Sequence, residues 1–436
     1  SLPPDARLIL VFNGWVEYGY SQTNFAASQA GLRAQAPTIE VQRGGQWVAL
    51  MREVGYPAGV NHVMTVDLTG QLRSTDRLLR VRSNMELYWD RIFLAQHLAQ
   101  APVKLKTCWM PEFETFLPWL AKQKGWDKQE GLDLELLFFD SGMAQMEALP
   151  AKQWVLGATG GVPMTVGALR YGAYQVGLGD DESITNNLYV RPDSPIFKVK
   201  GFNKENPEVY GSPETVKGKT ILVTTVSSAH YAMSSWLSVL GLKDSDVVIK
   251  QMDQASAIAA FEKGIGDVVV LWAPYTFAAE AKGYKKVADV RSAGRALPIT
   301  LIGDKEFCDK NPEIVAKFLR VYLRGVNFQL KHGSHPEVVK LYQKFMKDWG
   351  GMDMTPEMAK LDIDNHPVWN LQKQLELMDT SKGMSTAGKW QFLIGEFFTA
   401  QGRFKPEDFA KVKDSAYVTD KFLKLIKTPI PTDELK

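Results

Sequence analysis

Residues 220–272 read TILVTTVSSAHYAMSSWLSVLGLKDSDVVIKQMDQASAIAAFEKGIGDVVVLW, and their rhythm decides the architecture. Thr220 to Thr224 is a short apolar run of strand character. Ser227 then opens a segment in which Met233, Trp236, Leu237 and Leu240 recur at the spacing of one helix face. A second strand is expected over Val247 to Met252, a helix ending at Gly264, and a third strand over Asp267 to Trp272. Parallel strands need helical crossovers of this kind, so the stretch reads as part of an open, doubly wound α/β sheet.

The same alternation extends upstream. Val103 to Cys108 reads as a strand, Glu112 to Lys124 as a helix closed by Gly125, and Leu132 to Phe138 as the next strand. Val155 to Ala158, a helix from Met164 to Tyr171 ended by Gly172, and Tyr174 to Leu178 repeat the pattern. Two αβ lobes are therefore written in series, with a cleft between them. Downstream of Arg295 the spacing predicts one more strand and a long amphipathic helix, with Phe318, Leu319, Tyr322 and Leu323 on one stripe. Pro336 to Lys424 is mostly helical and is expected to return onto the first lobe. These readings put the first lobe at 99–195 and 299–436 and the second at 196–298, hinged near Arg191 to Gly211 and Arg291 to Thr300.

Upstream of residue 99 the chain changes character. Residues 1–103 carry nine Arg and no Lys, whereas residues 104–436 carry 35 Lys and seven Arg. Lys and Arg substitute for one another on most solvated surface, so the switch points to a module of different origin over 1–98, with the seam at Ala95 to Pro102. Strands are expected at Arg7 to Val16, Thr38 to Val41, Trp47 to Glu53, Val63 to Leu68, Leu78 to Arg82 and Glu86 to Leu94. Alternating apolar residues, the Arg43-Gly44-Gly45 turn and the Tyr56-Pro57-Ala58-Gly59 loop predict a small all-β, sandwich-like domain. Its aromatics, Trp15, Tyr18, Tyr20, Trp47, Tyr88 and Trp89, suit either its core or a face that docks a protein or a sugar.

Composition narrows the function. With 51 Lys and Arg against 49 Asp and Glu, a net charge of +2, the chain has no basic excess with which to displace counterions from nucleic acid. No apolar run reaches the roughly 18 residues of a membrane-spanning helix. The opening SLPPDARLIL lacks the basic region and cleavage site of a secretory signal. Cys108 and Cys308 are too far apart for a CxxC motif, and no metal or cofactor is expected.

In open α/β sheets ligands bind beyond the carboxyl ends of the strands, so the residues just after each strand are the informative ones. Ser227, Ser228, Ala229 and His230 begin a helix whose first amides, with the two serine hydroxyls, suit an oxyanion. Gly160 and Gly161 let backbone approach a ligand. Trp109 and Trp272, from opposite lobes, are placed to sandwich a ligand body. Glu112, Asp181 and Glu182 are acceptors for a ligand amine.

These residues resemble the solute-binding proteins of the nitrate, sulfonate and taurine class of ABC importers. The carriers are PEFETFLPWLAKQKGWDKQEGLDLELLFFDSG, the GATGGVP turn, YVRPDSPI, ETVKGKTILVTTVSSAHYAMSSWLSVLGL and AAFEKGIGDVVVLWAPY, over about residues 103–350. The resemblance implies a two-lobe periplasmic-binding-protein (type II) fold, an extracytoplasmic location and an ABC permease as membrane partner. It also implies a small organic anion, sulfonate- or carboxylate-like, held at Ser227, Ser228, Ala229 and His230, with Trp272 and Tyr275 closing the other side. One departure stands out: where many relatives carry Asp after this Trp, the chain has Ala273. The β-module, through GWVEYGYSQTNFAASQAG, GYPAG, VDLTG and RSNMELYWDRIFLA, resembles the C-terminal β-module of large bacterial repeat proteins. Two other readings remain open. One is a sulfinate hydrolase on the same fold with Cys108 as nucleophile, which Met143 to Ala158 fails to supply with the expected His and Arg. The other is a sensor or adaptor whose β-module docks a partner.

Overall fold

The computed structural model describes residues 7–17, 19, 21–58, 61–73, 75–97 and 101–435, divided between two compact units, Ser1–Ala101 and Pro102–Lys436. Tyr18, Tyr20, Gly59 and part of the expected seam lie outside the described residues.

In the first unit, β1 (Arg7–Val16), β2 (Thr38–Arg43), β3 (Gln46–Met51), β4 (His62–Asp67), β5 (Leu79–Arg82) and β6 (Leu87–His97) form two antiparallel sheets, ordered β4-β1-β6 and β3-β2-β5. Strict alternation along β1 buries Leu8, Leu10 and Phe12 against Ile39, Val66 and Leu68. Gly44 and Gly45, both at positive φ, close the β2–β3 hairpin as their sequence demands. One helix interrupts the all-β expectation, Ser21–Gln29, which carries no apolar stripe and lies largely exposed. A periodicity search has nothing to find there.

The second unit holds two five-stranded sheets. The first contains β7 (Val103–Trp109), β8 (Leu132–Phe138), β9 (Leu156–Gly160), β10 (Ala173–Asp181) and a strand from later in the chain. The second contains β11 (Asn186–Val190), β12 (Thr220–Val223), β13 (Val248–Gln251), β14 (Val268–Trp272) and β15 (Lys285–Asp289). The late strand is β16 (Pro298–Asp304), and the orders are β10-β16-β9-β7-β8 and β13-β12-β14-β11-β15. In each sheet four strands run the same way and one, β16 or β11, runs against them. The antiparallel strand beside each parallel trio, β11 or β16, is the one that has just arrived from the other lobe.

The first crossing lies upstream of the expected one, whereas the return falls on the expected stretch Arg291 to Thr300. Chain passes from β10 to β11 over residues 182–185, so the second lobe begins before residue 196, and it returns over 290–297. A link of four residues cannot carry a helical crossover, which is why the strand enters a different sheet. The crossings lie side by side: the Glu182 N–H donates to the Leu297 carbonyl at 2.9 Å, and the Arg291 N–H to the Ser183 carbonyl at 2.9 Å. The Ser183 hydroxyl accepts from the Leu297 N–H at 2.9 Å. Arg191, expected at a hinge, is instead fixed inside its own lobe, donating to the Gly266 and Phe261 carbonyls with its guanidinium over the Phe261 ring.

The Pro312–His332 helix buries Phe318, Leu319, Tyr322 and Leu323 in the first-lobe core. The following helices join that core through Tyr342, Phe345 and Ile363. The Thr386–Ala400 helix departs from the expectation that the tail covers the first lobe alone. Ile394, Phe397 and Phe398 pack into the second-lobe core with Tyr231 and Trp236, while Gln391 accepts from the Thr165 hydroxyl of the first lobe at 3.0 Å.

Candidate functional site

A narrow cavity of about 20 Å³ lies where the crossings and the two lobes meet, lined by Met110, Glu112, Gly142, Gly160, Pro163, Glu182, Ser227, Ser228, Trp272 and Ile299. Its position is the one a doubly wound fold reserves for a ligand.

The second lobe contributes a helix start. Ser227 has an extended backbone, and its hydroxyl both donates to the Thr224 carbonyl at 2.6 Å and accepts from the His230 N–H at 3.3 Å. The hydroxyl proton is thus committed to the Thr224 carbonyl, whereas the expectation from sequence is that the Ser227 hydroxyl serves an oxyanion. Among the described residues nothing accepts from the Ser228 and Ala229 amides, which stand at the positive end of a twelve-residue helix. The loop before them is shaped by Val226, held at φ +55° with its N–H donating to His230 Nδ1 at 2.9 Å. Since Nδ1 accepts, the ring proton sits on Nε2, which donates to Asp244 at 2.8 Å. Asp244 also accepts from the Ser234 hydroxyl at 2.7 Å and from Arg403 at 3.2 Å. Burial opposes the Asp244 anion, yet the hydrogen bonds from His230, Ser234 and Arg403 prevail and hold it below the usual carboxylate range.

The first lobe and the crossing contribute acid. Glu112 occupies the N-cap position of the Phe113–Gln123 helix without capping it, and only 4% of the residue is exposed. No hydrogen bond from the described residues reaches its carboxylate. Burial, then the charges of Glu114, Glu182, Asp180 and Asp362, raise it well above its ordinary value. Burial and Asp180 push Glu182 up to about 8, against the pull of His366 and a hydrogen bond with Asn186. Behind them Asp180, raised by burial to about 7, has no hydrogen-bond partner on either oxygen. Burial disfavours the His366 cation, but the hydrogen bond and charge of Asp362 prevail and lift it to about 10. His366 stacks on Phe113 at 5.2 Å.

At Gly160 the lobes approach closely: a Cβ there would stand 2.5 Å from Ser228 Oγ and would force that hydroxyl to turn aside. The other expected residues are placed differently. Trp109 is fully buried, donates from Nε1 to Thr107 Oγ1 at 2.6 Å and stacks parallel to Tyr322, so it is core; its neighbour Met110 takes the cavity face. Asp181 pairs with Arg291 at 2.9 Å and accepts from the Ser183 N–H, serving the crossing instead. Gly161 faces Ile394 and Gln391 of the tail. His230 and Ala229 are fully buried and lie outside the lining; His230 acts on the site through the Val226 loop that it holds. Tyr275 is half-buried outside the lining, its phenol raised by burial and by the charges of Asp253 and Glu112. Cys108 also lies outside the lining, and burial raises its thiol well above the ordinary value, so it offers no thiolate nucleophile to the cavity. Sequence reasoning missed Met110, Gly142, Pro163 and Ile299 in the lining, and Glu114, Asp180, Asp362 and His366 behind it.

In the first unit, Trp89 packs on Phe12 in the core, whereas Trp15 and Tyr88 stack at 5.2 Å on the surface and Trp47 lies under the Arg80 guanidinium.

The family model described as NMT1/THI5 like matches residues 115–334. A Brachyspira hyodysenteriae protein named as an ABC transporter periplasmic binding protein is 31% identical over 276 residues, 63% of this chain and 76% of the relative. A Bacillus subtilis protein named as an aliphatic sulfonates-binding protein is 31% identical over 220 residues, 49% of this chain and 62% of the relative. Among solved structures, the periplasmic aliphatic sulphonate-binding protein of Escherichia coli superposes with a TM-score of 0.56 at 18% identity, covering 74% of this chain and all of that one.

Proposed function

This chain belongs to the NMT1/THI5-like family, and on that premise we propose that it is the extracytoplasmic solute receptor of an ABC importer. It captures a small organic anion, sulfonate- or carboxylate-like, between its lobes and presents it to a membrane permease. The observation that carries the reading is the helix start at Ser228, which lines an interlobe cavity and whose amide, like that of Ala229 behind it, meets no acceptor among the described residues. The two adjacent crossings at 182–185 and 290–297 are the hinge about which the lobes close.

Mass spectrometry of small molecules released from the purified chain, followed by calorimetry with the anion found, tests this. Ser228→Asp sets a carboxylate at the positive helix end and is expected to weaken anion binding by about tenfold or more. Unchanged affinity would put the ligand elsewhere. We also propose that residues 1–98 are a module of separate origin, a reading supported by the abrupt Arg-to-Lys switch. Residues 102–436 expressed alone should then fold and bind the same solute; loss of binding on truncation would make the module part of the site.

A further inference from the structure

Glu112 and Glu182 line the same cavity as the Ser228 helix start, with 4% and 3% of their surface exposed. They arrive from unrelated places, one from the turn after β7 and the other from the crossing after β10. Among the described residues no base makes an ion pair or hydrogen bond with either: His366 is the one base that helps Glu182, Arg291 is spent on Asp181, and the other charges acting most strongly on the pair are the acids Glu114, Asp180, Asp181 and Asp362. The Tyr275 phenol is the remaining titratable neighbour. An ionised carboxylate buried without a counter-charge is strongly disfavoured, so a lone buried glutamate is normally paired, metal-bound or protonated. Among the described residues no cluster is arranged to hold a metal ion. Without a cation the pair stays neutral by keeping its protons.

We propose that this cavity selects a solute carrying charges of both signs, with an oxyanion on the Ser228 and Ala229 amides and a protonated nitrogen held by Glu112 and Glu182. The proposal rests on the receptor reading above and adds the charge of the guest. A plain alkyl anion fills only the amide end and sets its apolar tail against two carboxyl groups. A solute bearing an ammonium or amidinium group supplies the counter-charge that the protein lacks. Binding then drives the protons of the pair into solvent, while the N–H groups of the solute donate to the carboxylates left behind.

Isosteric pairs separate these cases. Taurine and propanesulfonate differ by an ammonium in place of a methyl group, as do β-alanine and butyrate. Titration calorimetry of the full chain is expected to show the aminated member of at least one pair binding about tenfold tighter or more, the scale of one retained charge contact. Repeating it in buffers of different ionisation enthalpy should show proton release with the aminated member and none with its methyl counterpart. In Glu112→Gln and in Glu112→Gln/Glu182→Gln the affinity ratio should fall towards one. Equal affinities in the unaltered chain, binding without proton release, or a preference that survives the double substitution would overturn the proposal alone. Binding of no member of either pair would overturn the receptor reading together with it.

Discussion

The two walls of the cavity are built by the same device and end with opposite charge. Each follows a parallel strand, β12 on one side and β7 on the other, and each is the start of a helix. On the second-lobe side Ser227 caps, committing its hydroxyl to Thr224 and His230, so backbone N–H groups are left over. On the first-lobe side Glu112 stands at the cap position and does not cap, so a carboxylate is left over. What a helix start offers a ligand is therefore decided by what the cap residue leaves unused, not by the type of residue found there. The two tryptophans make the same point. Trp109 ends β7 and is claimed by the Pro312–His332 helix through Tyr322, whereas Trp272 ends β14 and stays at the cavity.

Removing the support of the amide wall should have the largest effect. His230→Ala takes away the acceptor for the Val226 N–H and the main donor to buried Asp244, and is expected to cost about 3 kcal/mol of stability, read from the urea midpoint at unchanged slope. Anion binding should weaken with it. Full stability in this variant would mean that the Val226 loop holds its shape unaided.

The acid wall predicts a pH dependence. Glu182 is raised from 4.5 to about 8 in the folded protein, which then holds a proton that the unfolded chain releases near pH 4.5. The unfolded state binds fewer protons across that window, so stability falls as pH rises from about 5 to about 8. His366, raised from 6.5 to about 10, adds a loss of the same sign between those limits. Melting temperature measured without ligand should decline through this range, and Glu182→Gln should flatten the part below pH 8. Glu112→Gln should raise stability at neutral pH by on the order of 1 kcal/mol, because it removes a buried acid that only a ligand satisfies. Opposite signs for His230→Ala and Glu112→Gln would mark one wall as built for the fold and the other for the guest.

Much of this architecture is legible in the chain because strands such as VVVLW are continuous apolar runs and the helix starts are marked locally by Ser227 and Gly160. Strand direction is not, since periodicity is the same for parallel and antiparallel neighbours; hence β11, the crossing at 182–185 and the antiparallel direction of β16, itself expected as a strand, are seen only in the pairing. Trp109 was misplaced because the last residue of a strand can face either side, and a local pattern does not show which helix will cover it. The acid wall is half visible: Glu112 and Glu182 follow strands, but Asp362 reaches them from the Pro356–Asp364 helix and His366 from just past its end, far along the chain. The Ser21–Gln29 helix, with no stripe to bury, left no trace.

The smallest expected effect concerns that tail. Arg403 follows the Thr386–Ala400 helix and meets Asp244 at 3.2 Å with 39% of its side chain exposed, so solvent screening limits its direct worth to about 0.5 kcal/mol. Its reach is longer than its energy. Asp244 holds His230, His230 holds Val226, and Val226 aims the Ser228 and Ala229 amides; Phe398 of the same helix packs edge-on against the His230 ring at 5.5 Å. Among the described residues nothing comparable from the tail braces the carboxylate of Glu112. Arg403→Gln should therefore shift the melting temperature by a degree or two, in a salt-sensitive way, and weaken an anionic ligand about twofold without altering proton release on binding. Arg403→Lys should restore most of that affinity. If neither substitution changes the affinity, the amide wall is held by the second lobe alone, and the tail acts only as a cover for the two cores it joins.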